Sequence, residues 1–417
     1  MEIFNTLESE VRGYIRSFPV VFDTAEGSQM VDEDGKTYLD FFAGAGTLNY
    51  GHNPEKATAA MIEHLTEKRV VHGLDKATKV KRSFMETFNS LILEPRNLEY
   101  KFQFTGPTGT NATETAMKLA RIATGRSTIV AFTNGYHGHT MGALAVTGNE
   151  SYRDESYDNR GSVSHMPFDG FLGDMDTLRV FERYLEDSGS GLDTPAAVIV
   201  ETVQGEGGIK VASTEWLQKL EKLCRKYEIL LIIDDIQVGN GRTGKFFSFE
   251  EAGIVPDMVC LSKSLGGGLP MALLLFRPDL DKWEPGQHTG TFRGNNLAFA
   301  ASVQLLQEYW ADDSFEKEIF RKGELMRSRL QKMADKYPEH IAEIRGRGMV
   351  WGIEMKNPAD AGTFSKINFS HNLITETCGS KDDVLKLLPA LTISDELLNE
   401  GLDIMEKSLS ELVGGEA

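Results

Sequence analysis

Five short apolar runs in this chain each break off into glycine and small polar residues. Phe102–Phe104 leads into TGPTGT, Thr128–Phe132 into TNGYHGHT, Ala196–Val200 into ETVQGEGG, Ile229–Ile233 into DDIQVGNG, and Met258–Leu261 into SKSLGGG. Between them lie helical patterns such as Glu215–Tyr227, where Leu217, Leu220, Leu223 and Cys224 fall on one face. Strand-like runs alternating with amphipathic helices read as a mainly parallel α/β sheet covered by helices. In such sheets ligand chemistry gathers at one edge of the strands, where these glycines cluster.

The 417 residues allow two or three units of ordinary size, and no repeat or low-complexity tract separates them. Residues 51–305 are expected to form one large catalytic domain. After residue 305 the pattern changes to a long amphipathic helix, Phe315–Lys336, a glycine-flanked strand around Met349–Met355, and a closing helix from Asp395. Residues 306–417 are expected to pack with residues 1–50 as a smaller α+β domain. A formal charge of −18 argues against a nucleic-acid partner or an anionic membrane surface. Three scattered cysteines, without the spacing of disulfide or zinc frameworks, point to a reducing cytoplasm. The first residues lack a basic stretch followed by an apolar one, and no apolar run is long enough to span a bilayer.

Chemistry-bearing residues sit just past the apolar runs. Asp234 and Asp235 end a buried strand, where a carboxylate is costly without a positive partner; they form an ion pair or cap, or hold a proton on a heteroaromatic nitrogen. Lys263 follows its strand among small residues, as a solvated charge or as an amine that attacks a carbonyl. Asn111 with Glu114 has the spacing of a capping box, and the preceding Thr108, Gly109 and Thr110 suit a helix N-terminus able to cup a phosphate. Tyr136-His137-Gly138-His139 reads as an ordinary loop or an aromatic plate. As a metal site it is poor, because two histidines at i, i+2 have no acid or thiol nearby in sequence, and no metal is expected. Glu201 and Glu206 flank another strand end; paired carboxylates suit glycoside hydrolysis, but a lysine and a phosphate cup have no role there.

Together an amine, a ring-nitrogen acid, a phosphate cup and an aromatic plate describe a pyridoxal phosphate (PLP) site. From about Val20 to Leu412 the chain resembles the class III, or ω-amino-acid, aminotransferases of PLP fold type I. The stretches that carry the resemblance are MVDEDGKTYLDFFAGAGTLNYGH, ETAMKLARIATGR, ETVQGEGG, LLIIDDIQVGNGRTG, the Lys263 segment and TGTFRGNNLAFAA. The resemblance implies transamination, with Lys263 as the Schiff-base lysine and proton shuttle and Asp234 as partner of the ring nitrogen. It further implies Gln237 near the cofactor's phenolic oxygen, Tyr136 stacked on the ring, and Thr108, Gly109 and Thr110 around the phosphate. Thr291 would reach the phosphate of a neighbouring subunit, making a homodimer, or dimer of dimers, with shared sites.

Glu206 matches an acid that in relatives pairs with a C-terminal arginine, where this chain has Lys386. Arg293 replaces a small residue, Ala45 stands where some relatives place an aromatic, and Asp235 and Asn111 also depart from the family pattern. Lys386 either pairs with Glu206 or is a solvated surface charge that leaves the substrate carboxylate to Arg293. Family members acting on ornithine, 4-aminobutyrate or a diamine share every cofactor residue. A binding module derived from the fold would have lost Lys263, Asp234 and Gln237 first.

Overall fold

The computed structural model describes residues 1–157 and 161–414. Three short strands open the chain: β1 (Phe22–Glu26), β2 (Gln29–Asp32) and β3 (Thr37–Asp40). The central region contributes β4 (Lys101–Phe104), β5 (Ile129–Phe132), β6 (Val163–Met166) and β7 (Ala197–Val200). A small ribbon follows, β8 (Val203–Gln204) with β9 (Lys210–Val211), and then β10 (Leu230–Asp234), β11 (Met258–Leu261) and β12 (Leu273–Phe276).

Seven of these strands form one sheet in the order β4-β12-β11-β10-β7-β5-β6. Every residue of β5, β7, β10, β11 and β12 is buried, which a strand achieves only with helices on both faces. All neighbours run parallel except β12, which is antiparallel to both β11 and β4. The two reversals restore direction, so the carboxyl ends of β4, β5, β7, β10 and β11 share one edge. Those ends are where the five glycine-rich segments emerge. The sequence pattern did not single out β12; its run LLLF differs from a helix segment only in length.

The C-terminal third adds β13 (Ile341–Arg347), β14 (Val350–Met355), β15 (Leu373–Ile374), β16 (Glu376–Cys378) and β17 (Val384–Leu387). Four of them form an antiparallel sheet, β13-β14-β17-β16, beside the helices Ser314–Lys336 and Pro358–Ser370, with Asp395–Gly414 packed on those helices. β15 instead pairs parallel with β3, Leu373 opposite Leu39, and so binds the start of the chain to its end. Arg242 ties these parts together from full burial. Its Nη1 donates to the carbonyls of Met349 and Pro389 at 3.0 and 2.6 Å, and its Nη2 to Asn49 Oδ1 at 2.6 Å.

Candidate active site

A cavity of about 410 Å³ opens at the carboxyl edge of the large sheet. Its lining includes Thr108, Gly109, Thr110, Tyr136, Glu206, Asp234, Gln237 and Lys263, together with His137, Ile236, Glu201 and Thr140. That volume suits a small organic ligand, and each strand delivers its residue at or just past its last ladder position. Asp234 is the last residue of β10 and pairs with Cys260, while Lys263 follows β11 by two residues.

Lys263 adopts φ +48, a backbone conformation rare for a side-chain-bearing residue, and its Nζ donates to the carbonyl of Ala45 at 2.8 Å. Burial pushes the amine down from the ordinary lysine range, while Glu206 pulls the other way. Ala45 belongs to a turn, residues 43–46, in which all four φ values are positive. The two glycines there take such values freely, whereas Ala43 and Ala45 are strained, and the result is a carbonyl aimed into the site. The same carbonyl accepts Gln237 Nε2 at 3.1 Å.

Asp234 is almost fully buried, and its Oδ2 meets His137 Nδ1 at 2.7 Å. Burial alone would push the imidazole down, but the bond to Asp234 leaves it raised. The acid absent from the local sequence of His137 therefore arrives across the fold, and it orients a carboxylate. Burial pushes Glu201 up to about 7; its carboxylate accepts the backbone amides of Tyr136 at 2.9 Å and Gly205 at 3.2 Å.

The helix Gly109–Thr124 begins at the cavity with Thr108 as its N-cap and Asn111 as the third helical residue. Together they form the capping box. The box expected from Asn111 to Glu114 therefore lies three residues earlier, because the chain turns helical directly after Thr108. Glu114 is freed for another task. Its Oε1 accepts the amides of Gly142 and Ala143 at 2.8 and 3.0 Å and the hydroxyl of Thr140 at 2.7 Å, and Thr140 in turn meets Thr110 Oγ1 at 2.7 Å. The loop after Tyr136 is thus fixed to the helix that presents the cup.

Lys386 lies immediately behind the cavity. Its side chain is entirely buried, which overturns the reading of a solvated surface charge, and its Nζ lies 2.6 Å from Glu206 Oε1. Burial alone would push Glu206 up; Lys386 and then Lys263 hold it down at about 2. Gln237 Nε2 donates to the same Glu206 oxygen at 3.1 Å. Among the described residues, neither Thr291 nor Arg293 lines this cavity. The Thr291 carbonyl accepts His72 Nε2 at 2.9 Å, and Arg293 lines a separate pocket with Trp283 and His288.

The donor set fits PLP. The first-turn amides of Gly109 and Thr110 have no earlier helical acceptor, and both residues line the cavity, as a phosphate requires. A buried carboxylate held by an imidazole suits a protonated ring nitrogen, Tyr136 and Ile236 offer apolar surfaces for a flat ring, and Lys263 offers an amine of lowered basicity for an aldehyde.

Comparison with known proteins agrees with this donor set. The family model for aminotransferase class-III matches residues 13–409. A diaminobutyrate–2-oxoglutarate transaminase of Wolinella succinogenes is 54% identical over 414 residues, covering 99% of this chain and 97% of the relative. One of Halalkalibacterium halodurans is 54% identical over 415 residues, with coverage of 99% and 97%. Among solved structures, an ornithine aminotransferase from Toxoplasma gondii superposes with a TM-score of 0.87 at 25% identity, covering 100% of this chain and 95% of that one. An acetylornithine aminotransferase from Elizabethkingia anophelis gives 0.79 at 24% identity, covering 98% of each, and supports the fold.

Proposed function

The chain belongs to the class-III aminotransferases, and from that premise we propose that it moves an amino group from L-glutamate to L-aspartate 4-semialdehyde, yielding 2-oxoglutarate and L-2,4-diaminobutyrate. The observation that carries the substrate reading is the 54% identity, over nearly the whole chain, to transaminases of that name. The stretches GPTGTNA, FTNGYHG, IIDDIQ and GTFRGNNLAF are those in which the sequence most resembles such enzymes. The product would open synthesis of the osmolyte ectoine, in keeping with the acidic composition.

Bound PLP supplies an aldehyde that takes up amino groups and a ring that absorbs the electron pair of a broken C–H bond. The rest falls to the protein. The amides and hydroxyls at Thr108–Thr110 would hold the phosphate. Asp234 would keep the proton on the ring nitrogen, and His137 keeps Asp234 pointed there. Lys263 Nζ would take the proton from the substrate carbon bearing the amino group and deliver it to the carbon that carried the cofactor's aldehyde, a task that suits an amine whose basicity burial has lowered. Glu206 covers Lys386 until a dicarboxylic amino acid arrives, whose carboxylate replaces it on the ammonium. With the terminal amine of diaminobutyrate in place, Glu206 stays on Lys386.

We also propose a cytoplasmic homodimer, or a dimer of such dimers. Val70, Val71 and Phe292 are large apolar side chains left exposed where His72 meets the Thr291 segment, a surface suited to a second copy. Among the described residues no helix is long and apolar enough to cross a membrane.

Single-turnover measurements with L-glutamate, L-2,4-diaminobutyrate, L-ornithine and 4-aminobutyrate test the function. Glutamate and diaminobutyrate should both react fast. A clear preference for ornithine or 4-aminobutyrate over diaminobutyrate would replace this substrate reading with another member of the family.

A further inference from the structure

Behind Glu206 the ion pair has a third member. Lys386 Nζ lies 2.9 Å from Glu376 Oε2 as well as 2.6 Å from Glu206 Oε1. Glu376 stands directly opposite Lys386 in the β16–β17 ladder, so the contact is built into the strand register. Its other oxygen, Oε1, accepts the Tyr14 hydroxyl at 2.8 Å, and the Tyr14 ring packs on Phe42 with centroids 4.9 Å apart. Lys386 is fully buried and Glu376 nearly so, while Tyr14 is half-exposed on the N-terminal segment. A continuous line of polar contacts thus runs from Gln237 through Glu206, Lys386 and Glu376 to Tyr14 at the surface.

One ammonium between two carboxylates cannot give its full attraction to either. If Glu206 were the only anion on Lys386, an entering carboxylate would have to displace it from a buried, undivided ion pair, and breaking such a pair is costly. With Glu376 in place, Lys386 remains paired and fixed in position when Glu206 leaves. We propose that Glu376, held by Tyr14, is a positioning residue that makes Glu206 releasable and so sets the enzyme's preference between a donor with a carboxylate on its reacting carbon and a terminal amine. This rests on the dual-donor reading above.

The test uses the PLP-loaded enzyme and its Glu376→Gln and Tyr14→Phe variants. Binding of glutarate, a dicarboxylate with no amine to transfer, is measured by calorimetry, and single-turnover rates are measured with L-glutamate and with L-2,4-diaminobutyrate. In Glu376→Gln the Glu206–Lys386 pair becomes undivided. Glutarate affinity should therefore fall on the order of tenfold, with a matching rise in the glutamate concentration for half-maximal rate. The limiting rate with glutamate and the rates with diaminobutyrate should hold within about twofold. Tyr14→Phe, altered at a half-exposed site, should shift the same quantities in the same direction by a smaller factor, and it carries the test if Glu376→Gln does not fold. Unchanged glutarate binding, or equal losses with both donors, overturns the proposal. Failure of the unsubstituted enzyme to react with diaminobutyrate would instead refute the dual-donor reading.

Discussion

At Lys263 and Asp234 the fold decides how a reactive side chain is presented. Burial lowers the Lys263 amine, and His137 fixes the Asp234 carboxylate, so each residue can be tested by a change that spares its surroundings. Lys263→Ala should still take up PLP through the helix N-terminus but lose turnover by on the order of a thousandfold. Normal turnover would sink the assignment. Asp234→Asn should keep cofactor uptake and slow the proton transfer, seen as a reduced single-turnover rate; an unchanged rate would remove this role. The adjacent Asp235 answers to a different force. It is fully buried, and burial pushes its carboxyl up to about 7, although Ser248 N donates to Oδ2 at 3.0 Å. A folded-state value above the unfolded one means that the stabilisation is full below about pH 4 and is lost as pH rises through about 7. Between pH 6 and 8 the melting temperature of Asp235→Asn should therefore fall less than that of the parent. Parallel curves would contradict it. Lys263 and Asp234 were legible in sequence because each follows an apolar run into glycine. His137 was not, since its partner lies 97 residues away.

Local pattern and register govern the elements, with unequal success. The five strand-like runs became strands within a residue or two, because uninterrupted apolar runs leave few other solutions in a sheet covered on both faces. The helix start at the phosphate cup was misplaced by three residues, since Asn111 and Thr108 are both good caps and only the φ and ψ of Thr108 decide between them. The left-handed turn at residues 43–46 carries no warning in AGAG, because alanine rarely adopts positive φ. Glu376 was missed, although CGSKDD between two short runs is a hairpin signal that would have placed it opposite Lys386. The Glu114 contacts give an element-scale prediction. Glu114→Ala unpairs the amides of Gly142 and Ala143 and frees Thr140 from the helix, so the cup should loosen while Lys263 and Asp234 stay in place. Apparent PLP affinity should fall by about tenfold, read as cofactor retained after dialysis, with the rate at saturating PLP nearly preserved. Loss of rate without loss of retention would assign Glu114 to chemistry instead.

For the whole molecule, Arg242 shows a join between distant parts of the chain that no local pattern reveals. Its three acceptors come from residues 49, 349 and 389, distant in sequence and joined only by the finished fold. Arg242→Met would leave those buried oxygens unpaired and should lower stability by on the order of 3 kcal/mol, read as a reduced urea midpoint. Assembly supplies the last test. Thr291 does not line the cavity of its own subunit, and its segment lies beside exposed Val70, Val71 and Phe292. If its hydroxyl completes the phosphate cup of a second copy, Lys263→Ala and Thr291→Ala chains should each be weak alone and rescue one another when mixed. In a mixed dimer one site would carry both lesions, since it has the altered lysine and receives the altered threonine. The other would carry neither. With equal amounts and free exchange, half the dimers are mixed and each has one intact site of two, so activity should return to about a quarter of the parent level. Mass spectrometry of differently tagged chains measures the exchange independently. Full exchange without recovery would show that Thr291 serves its own subunit or none, and the shared site would have to be abandoned even if the dimer stands.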